Sequence, residues 1–483
     1  MSTLLKGMGA PLLLALTLAC FLAVPELHAQ YEKKIIKNFI NWNGVFSEGV
    51  DSASRQHIIR DIESQIAAVS AKPVEGVKSY KGKLTSYIRK EAKKKKIKPG
   101  RMVVRNVVTK YCSCNDTLLW NIRADVEIDR NFDSTEGSTP TVIPPKPPLR
   151  PAGEPLAILE NNDVINFLNV KNASNPRAEL MSVIKRRSTI SQNAVIAVLD
   201  TGIDTTYMEE GLRTEILWSG AGRNMLFGAD PNNYLDDYKY KHGTSVAYIA
   251  INSFYQASGN SSVPKVMVVK VLDSNATGSI FEFCCGLSYA VENHATVINA
   301  SMGYYGPSDV VLDYYVTKCH NDSIPLVAAA GNSDDAATGN LVCSPVVREE
   351  NRLKSPDRLF MPASLALDPV KYTVISVTGM REPGVPCYFQ NFSKEFVTLG
   401  VVNRTTTGNP CCMYLLPYID PANALEGTSF ATPVVSGRLA YDIAQQGHFS
   451  NMANYLRMMN VAKAPPVNGI SDAVTQENQY ITY

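Results

Sequence analysis

Short, continuous apolar runs recur through the C-terminal two thirds of the 483-residue chain, and each ends at small or polar turn residues. The runs AVIAVL at 194–199, TVINA at 296–300 and PLVAAA at 325–330 are of this kind. Runs without polar alternation are typical of parallel strands that are buried on both faces. The apolar-rich stretch at 246–251 predicts a buried helix. We therefore predict an α/β fold in which helices flank a mostly parallel sheet.

A different pattern marks the first third of the chain. Apolar residues recur at helical spacing from Ile58 to Val69, whereas residues 118–128 alternate between apolar and polar positions, as in a half-buried strand. Residues 102–112 predict the other strand of a hairpin. The expected segments are a small α+β domain at 30–132, a linker rich in Pro, Ser and Thr at 133–155, and the α/β domain at 156–483.

Residues 1–29 have the features of an export signal. Lys6 precedes an apolar run from Pro11 to Val24, and Ala29 is the expected end of the signal. This run is shorter than the ~18–20 residues that cross a bilayer as a helix. A retained membrane anchor is the alternative. No later stretch is apolar enough to be transmembrane, so we expect an exported protein without a span once the signal is removed.

Charge and cysteine content limit the class of partner. The 47 basic and 45 acidic residues give a net charge of +2, which predicts no binding to nucleic acid. The basic run at 90–98 is interpreted as a solvated helix end, with attachment to an acidic surface as the alternative.

Export permits disulfides, and nine cysteines remain after Cys20 of the signal. Several disulfides are therefore expected, with at least one thiol left over and the pairing open.

Three segments carry the residue types of nucleophilic catalysis: VLDTGID around Asp200, HGTS at His242 and GTSFATP around Ser429. A serine hydroxyl needs an imidazole to take its proton, and the imidazole needs a carboxylate to hold its tautomer. Ser429 is expected at a helix N-terminus, where unpaired N–H groups favour an oxyanion. Asn332, after a predicted strand, would supply a second donor. The structural alternatives are a turn cap for Asp200, a satisfied structural histidine for His242 and a helix N-cap for Ser429.

The segments VLDTGID, HGTSVA, VINASMG, VAAAGN and GTSFATP stand in the order found in subtilisin-like serine peptidases, and the chain resembles that family over roughly residues 190–440. The resemblance implies a three-layer α/β domain. It also implies that Ser429 is the nucleophile, His242 the general base and acid, Asp200 its orienting carboxylate and Asn332 the oxyanion donor. The implied substrate-binding residues are Ser301, Met302 and Gly303 on one wall and Ala328 to Gly331 on the other.

The same resemblance implies an exported serine endopeptidase that acts on polypeptides through an acyl-enzyme. No cofactor or catalytic metal is expected, and structural calcium stays an alternative without assigned ligands. Residues 30–132 have the size of a pro-domain that inhibits the enzyme intramolecularly, and a permanent targeting or binding module is the rival role. Met302 and the alanine-rich wall predict an apolar or broad pocket. The alternative for the whole chain is a catalytically silent binding protein on the same fold.

Overall fold

The structure is a computed structural model that describes the following parts of the chain: residues 33–46, 49–67, 102–112, 118–129, 156–161, 164–166, 189–207, 213, 215–218, 222–333, 349–402, 427–449, 451–464 and 474–482. The expected signal at 1–29, the linker at 133–155 and the basic run at 90–98 lie outside these residues. The chain divides into two compact units. The first falls within Met1–Asn41, Ser52–Val108 and Ile122–Pro148, and the second within Trp42–Asp51, Thr109–Asn121 and Leu149–Tyr483.

The first third of the chain forms the predicted helix and hairpin strands. Strand β1 (Lys33–Phe46) is followed by helix α1 (Ser52–Ala67), β2 (Met102–Tyr111) and β3 (Leu119–Asp129). With β4 (Leu156–Asn161) these strands form a four-stranded sheet in the order β2-β3-β1-β4. The apolar face of α1 is buried at Ile59, Ile62 and Ile66, which accounts for the helical spacing of the isoleucines.

A large, mostly parallel sheet dominates the second unit, and this confirms the predicted α/β fold. Its ten strands run in the order β17-β18-β16-β14-β12-β10-β6-β8-β7, with β15 paired to β14 at one side. The pairs from β16 to β7 along this order are parallel. The strands of the second unit, beyond β4, are β5 (Val164–Asn166), β6 (Thr189–Asp200), β7 (Arg223–Asn224), β8 (Ser262–Lys270), β9 (Thr277–Ser279), β10 (Val297–Ala300), β11 (Tyr304–Tyr305), β12 (Leu326–Ala329), β13 (Phe360–Met361), β14 (Val374–Glu382), β15 (Val385–Pro386), β16 (Leu399–Val402), β17 (Ala462–Lys463) and β18 (Gln479–Thr482).

Two helix pairs pack against this sheet. Helix α2 (His242–Ala257) packs on α5 (Thr428–Gln446), and α3 (Ile280–Glu292) packs on α4 (Val310–Asn321). Within the described residues, no helix is long and apolar enough to cross a membrane. The helices are α2 (His242–Ala257), α3 (Ile280–Glu292), α4 (Val310–Asn321), α5 (Thr428–Gln446) and α6 (Met452–Met458).

The register of the central strands brings the ends of three predicted strands to one edge. Ala300 pairs with Leu199 of β6 and with Ala328 of β12, so Asp200, Ser301 and the residues after Ala329 leave the sheet side by side. All residues of β10 and β12 are buried, as their continuous apolar runs predict. In open α/β sheets, ligands bind beyond the carboxyl ends of the strands. The register therefore collects the predicted site residues where such a site belongs.

A disulfide supplies one of the pairings that the sequence left open. It joins Cys112, just after β2, to Cys285 in α3, with their Cα atoms 5.5 Å apart. Both residues lie in the second unit and in its hydrophobic core, together with Val45 and Leu119. Nearby, Lys110 Nζ donates a hydrogen bond to the carbonyl oxygen of Leu226 at 2.7 Å. The segment around Cys112 is thus an integral part of the second unit.

Candidate active site

Asp200 and His242 form a buried pair at the carboxyl edge of the sheet. Asp200 is the last residue of β6, and His242 is the first residue of α2. His242 Nδ1 lies 2.8 Å from Asp200 Oδ1, and both side chains are completely buried. The backbone N–H of Thr201 donates to the same carboxylate oxygen at 2.8 Å. A carboxylate at Nδ1 selects the tautomer in which Nε2 carries the lone pair and can accept a proton.

Gly243 allows the close approach of α2 to β6. A Cβ atom on this glycine would lie 2.4 Å from the carbonyl oxygen of Gly202 and 3.1 Å from Asp200 Cβ. Its N–H donates to Thr201 Oγ1 at 2.9 Å. Gly243 therefore permits an approach that any side chain would block, and this contact holds His242 beside Asp200.

The start of α2 depends on a carboxylate that sequence reasoning missed. Lys241, the N-cap residue, has a left-handed backbone (φ 51°) and makes no side-chain capping bond. Instead, Asp236 Oδ2 accepts hydrogen bonds from the N–H of Thr244 at 2.9 Å and from its Oγ1 at 2.7 Å. Asp236 is completely buried, and that burial raises the pKa of its carboxyl group. Asp236 lies eight residues before Thr244, a spacing that matches no local capping pattern, so this role had only a weak sequence signal.

Ser429 is the second residue of α5, at a helix N-terminus as predicted. Gly427 precedes the helix with φ 119°, a backbone conformation that favours glycine. Ser429 Oγ donates to the carbonyl oxygen of Ser301 at 2.9 Å, and Ser301 Oγ donates to the carbonyl oxygen of Ser429 at 2.7 Å. The next residue, Phe430, places its ring centroid 5.2 Å from that of His242. The fold therefore brings the segments of Asp200, His242 and Ser429 together.

Asn332 follows β12 and faces the same helix N-terminus. Its Oδ1 accepts hydrogen bonds from the N–H of Thr428 at 3.1 Å and from Thr428 Oγ1 at 3.3 Å. The Asn332 carbonyl oxygen accepts from the Tyr305 hydroxyl at 2.7 Å. Arg358 Nη2 in turn donates to the Tyr305 oxygen at 2.8 Å. The amide of Asn332 is thus held beside Ser429 by groups from α5 and β11, and the role of Tyr305 and Arg358 had no sequence signal.

The predicted substrate-binding residues lie on two neighbouring segments. Ser301, Met302 and Gly303 follow β10 and are all buried. Ala328 lies within β12 and is buried, while Gly331 follows that strand with φ 88° and donates its N–H to Thr428 Oγ1 at 3.1 Å. The two walls therefore both adjoin the start of α5. In the described part of the chain, no group of three or more His, Cys, Asp or Glu could hold a metal ion.

Comparison with known proteins agrees with this geometry. The sequence model of the subtilase family matches residues 191–476, more than half of the chain. A thermostable alkaline protease of Halalkalibacterium halodurans is 28% identical over 293 residues, which cover 59% of this chain and 64% of the relative. Subtilisin amylosacchariticus of Bacillus subtilis subsp. amylosacchariticus is 32% identical over 264 residues, 54% of this chain and 58% of the relative. A cell wall-associated protease of Bacillus subtilis is 34% identical over 176 residues, 35% of this chain and 18% of the relative.

The matched part of the chain thus spans less than two thirds of the length of these curated relatives. The match begins within β6 and ends three residues before β18, so it contains the large sheet apart from the first residues of β6 and the last strand. The resemblance inferred from five short motifs therefore extends over most of the α/β domain. The chain belongs to the subtilase family.

Proposed function

We propose that this chain is an exported serine endopeptidase that hydrolyses peptide bonds through a Ser429 acyl-enzyme. The observation that carries the proposal is the buried pair of His242 Nδ1 and Asp200 Oδ1, 2.8 Å apart, beside the helix N-terminus that bears Ser429. A buried imidazole that is held by a carboxylate has Nε2 available as a base. A pair at this place is suited to take a proton from the serine hydroxyl and to return it.

In the proposed reaction, Ser429 Oγ attacks the carbonyl carbon of the scissile peptide while His242 Nε2 takes the hydroxyl proton. The Oγ–C bond forms, and the carbonyl oxygen becomes an oxyanion that accepts hydrogen bonds from Asn332 Nδ2 and the N–H of Ser429. His242 then gives its proton to the leaving amine as the C–N bond breaks. Water then attacks the ester carbonyl carbon while His242 takes its proton. The Oγ–C bond breaks, His242 returns the proton to Ser429 Oγ, and the carboxylic acid is released.

One rearrangement precedes attack. The Ser429 hydroxyl donates to the Ser301 carbonyl oxygen at 2.9 Å, so it must turn about its Cα–Cβ bond to donate to His242. Catalytic hydrogen bonds often form only when substrate binds. The bond to Ser301 holds the hydroxyl in a defined position until then, and its loss is compensated by the new bond to the imidazole.

The test is the Ser429→Ala substitution, measured by cleavage of a denatured protein and by labelling with a fluorophosphonate probe. We expect the variant to fold and to lose roughly 10⁶-fold in kcat, the loss known for the nucleophilic serine of a subtilisin. Ser288→Ala is a matched control, because Ser288 is a completely buried serine in α3. The control should keep its labelling and its activity.

Equal cleavage by Ser429→Ala would contradict the proposal. A folded wild-type protein that is neither labelled nor active would favour the catalytically silent binding protein instead.

The proposal also includes export by residues 1–29 and a role for residues 30–132 as an inhibitor that is cut from the peptidase within 133–155. The size of that region and its place before the peptidase support this part. A mature, active protein whose polypeptide still runs uncut from Gln30 into the peptidase would contradict it.

A further inference from the structure

The space between the two proposed substrate-binding walls is occupied by the side chain of Phe360. A Cβ atom built on Gly303 would lie 2.5 Å from Phe360 Cε1, and one built on Gly331 would lie 2.8 Å from Phe360 Cγ. The far end of the ring therefore meets one wall and its near end meets the other. Phe360 is only 1% exposed. The ring thus spans the gap from wall to wall.

The position of Phe360 is fixed by its neighbours. It belongs to β13, where it pairs with Tyr305 of β11, and its N–H donates to Ser364 Oγ at 3.0 Å. The Tyr305 ring packs against it edge to face, with the centroids 5.0 Å apart. Because the Tyr305 hydroxyl also bonds the Asn332 carbonyl oxygen, a swing of the Phe360 ring would disturb the oxyanion donor. The ring is therefore a permanent part of the site.

The gap is where the side chain of the residue before the cleaved bond would lie in the acyl-enzyme. Ser301, on one wall, accepts from Ser429 Oγ at 2.9 Å. Gly331, on the other wall, donates to Thr428 at 3.1 Å, next to the nucleophile. A carbonyl carbon attacked by Ser429, with its oxygen at Asn332, lies above the crevice between these two strand ends. The side chain of the residue before the cleaved bond then points between the walls.

We propose that Phe360 is a specificity-determining residue that restricts the residue before the cleaved bond to small side chains, namely Gly, Ala or Ser. The inference rests on the proposed function and names the substrate class of that same site. A phenyl ring that fills an apolar crevice leaves no volume for a second large side chain. The broad apolar pocket expected from Met302 and the alanine-rich wall is thereby narrowed to a shallow one.

The experiment compares kcat/KM for two peptides that differ only in Ala or Phe before the cleaved bond. Because even one methylene in a hydrophobic pocket changes kcat/KM by about 10–200-fold, the wild type should prefer the Ala peptide by at least about 100-fold. Phe360→Ala should open the crevice and reduce or reverse this ratio by about 100-fold. Phe360→Leu, which keeps more of the packing, should change the ratio in the same direction by less.

Phe281→Leu serves as the control, since Phe281 is a completely buried phenylalanine of α3 and belongs to neither wall segment. Its Ala-to-Phe ratio should equal that of the wild type. Fluorophosphonate labelling of Ser429 is measured on every variant, which separates a folded, active site from a damaged one. The wild-type ratio alone decides the proposal if Phe360→Ala does not fold.

Normal labelling of the wild type together with equal cleavage of the two peptides would overturn the role of Phe360 and leave the proposed function intact. An unchanged ratio in a labelled Phe360→Ala variant would do the same. If the folded wild type were neither labelled nor active on either peptide, the proposed function itself would fail, and the inference with it.

Discussion

The orientation of the Asn332 amide follows from the groups around it. The backbone N–H of Thr428 can only donate, so the amide oxygen must face it, at 3.1 Å. The amide nitrogen, Asn332 Nδ2, then lies on the side of Gly427, where a Cβ atom built on that glycine would be 3.2 Å from it. A donor that is fixed in this way before substrate binds needs no reorganisation during the reaction. Glycine at 427 leaves room for the nitrogen beside the nucleophile.

This orientation predicts the effect of Asn332→Ala. The variant removes the proposed oxyanion donor. The corresponding loss in a subtilisin lowers kcat by about 10²–10³, and we expect the same here with little change in KM. Steady-state kinetics on the Ala peptide measure both constants. Asn293→Ala at the end of α3, where the amide donates to the Tyr289 carbonyl oxygen at 2.8 Å, should leave kcat unchanged. A rise in KM at constant kcat would instead assign Asn332 to ground-state binding.

At the scale of the secondary-structure element, α2 is a helix whose N-terminus is capped from outside its own first turn. Asp236 bonds the N–H and the hydroxyl of Thr244, while Lys241 Nζ donates to the Asp236 carbonyl oxygen at 2.6 Å and pairs with Asp204 at 3.0 Å. These contacts tie the loop before the helix to its first turn. Because His242 is the first residue of that turn, Asp236 is a positioning residue for the base.

We expect Asp236→Ala to lower the free energy of unfolding by about 1–3 kcal/mol, since it leaves a buried N–H and a hydroxyl without their acceptor. Asp236→Asn keeps an oxygen acceptor and should cost less. Urea unfolding measures both values, and kcat of the two variants reports the position of His242. Equal stability of Asp236→Ala and the wild type would contradict the capping role.

Because the pKa of Asp236 is raised, its contribution to the free energy of unfolding depends on pH. Burial favours the protonated carboxyl in the folded protein. The contribution of Asp236 to stability is therefore full below the pKa of an aspartate in the unfolded chain and declines as the pH rises through the higher pKa of the folded state. The difference in unfolding free energy between the wild type and Asp236→Asn should fall over that range. A difference that rises with pH would contradict the direction of the shift.

At the scale of the whole molecule, the features predicted from sequence are those with a local signal. The strands before Asp200 and Ser301 are continuous apolar runs, and Ser429 follows a glycine turn into a helix, so each could be read within about ten residues. Asp236 caps α2 from eight residues before Thr244, outside the local capping patterns, and Phe360 acts on partners that are distant in sequence. Phe360 meets Gly303 and Gly331 only because β13 pairs with β11. Such contacts are set by chain topology, which short patterns do not encode.

The partner of Cys112 could not be predicted for the same reason, yet the disulfide to Cys285 has a consequence for maturation. Cys112 precedes the expected linker at 133–155, and Cys285 follows it. A protease that cuts the linker would divide the polypeptide into two chains without separating them. The N-terminal chain would stay bound to the peptidase by a covalent sulfur–sulfur bond.

Electrophoresis of the linker-cleaved protein measures this directly. One band is expected without reductant and two bands with it, whereas Cys112→Ser should give two bands in both conditions. Two bands from the wild type without reductant would contradict the tether. With the tether in place, the subunit composition of the mature enzyme depends on the thiol–disulfide balance of its surroundings as much as on proteolysis. An inhibitor that has been cut would remain attached to the enzyme until a reductant releases it.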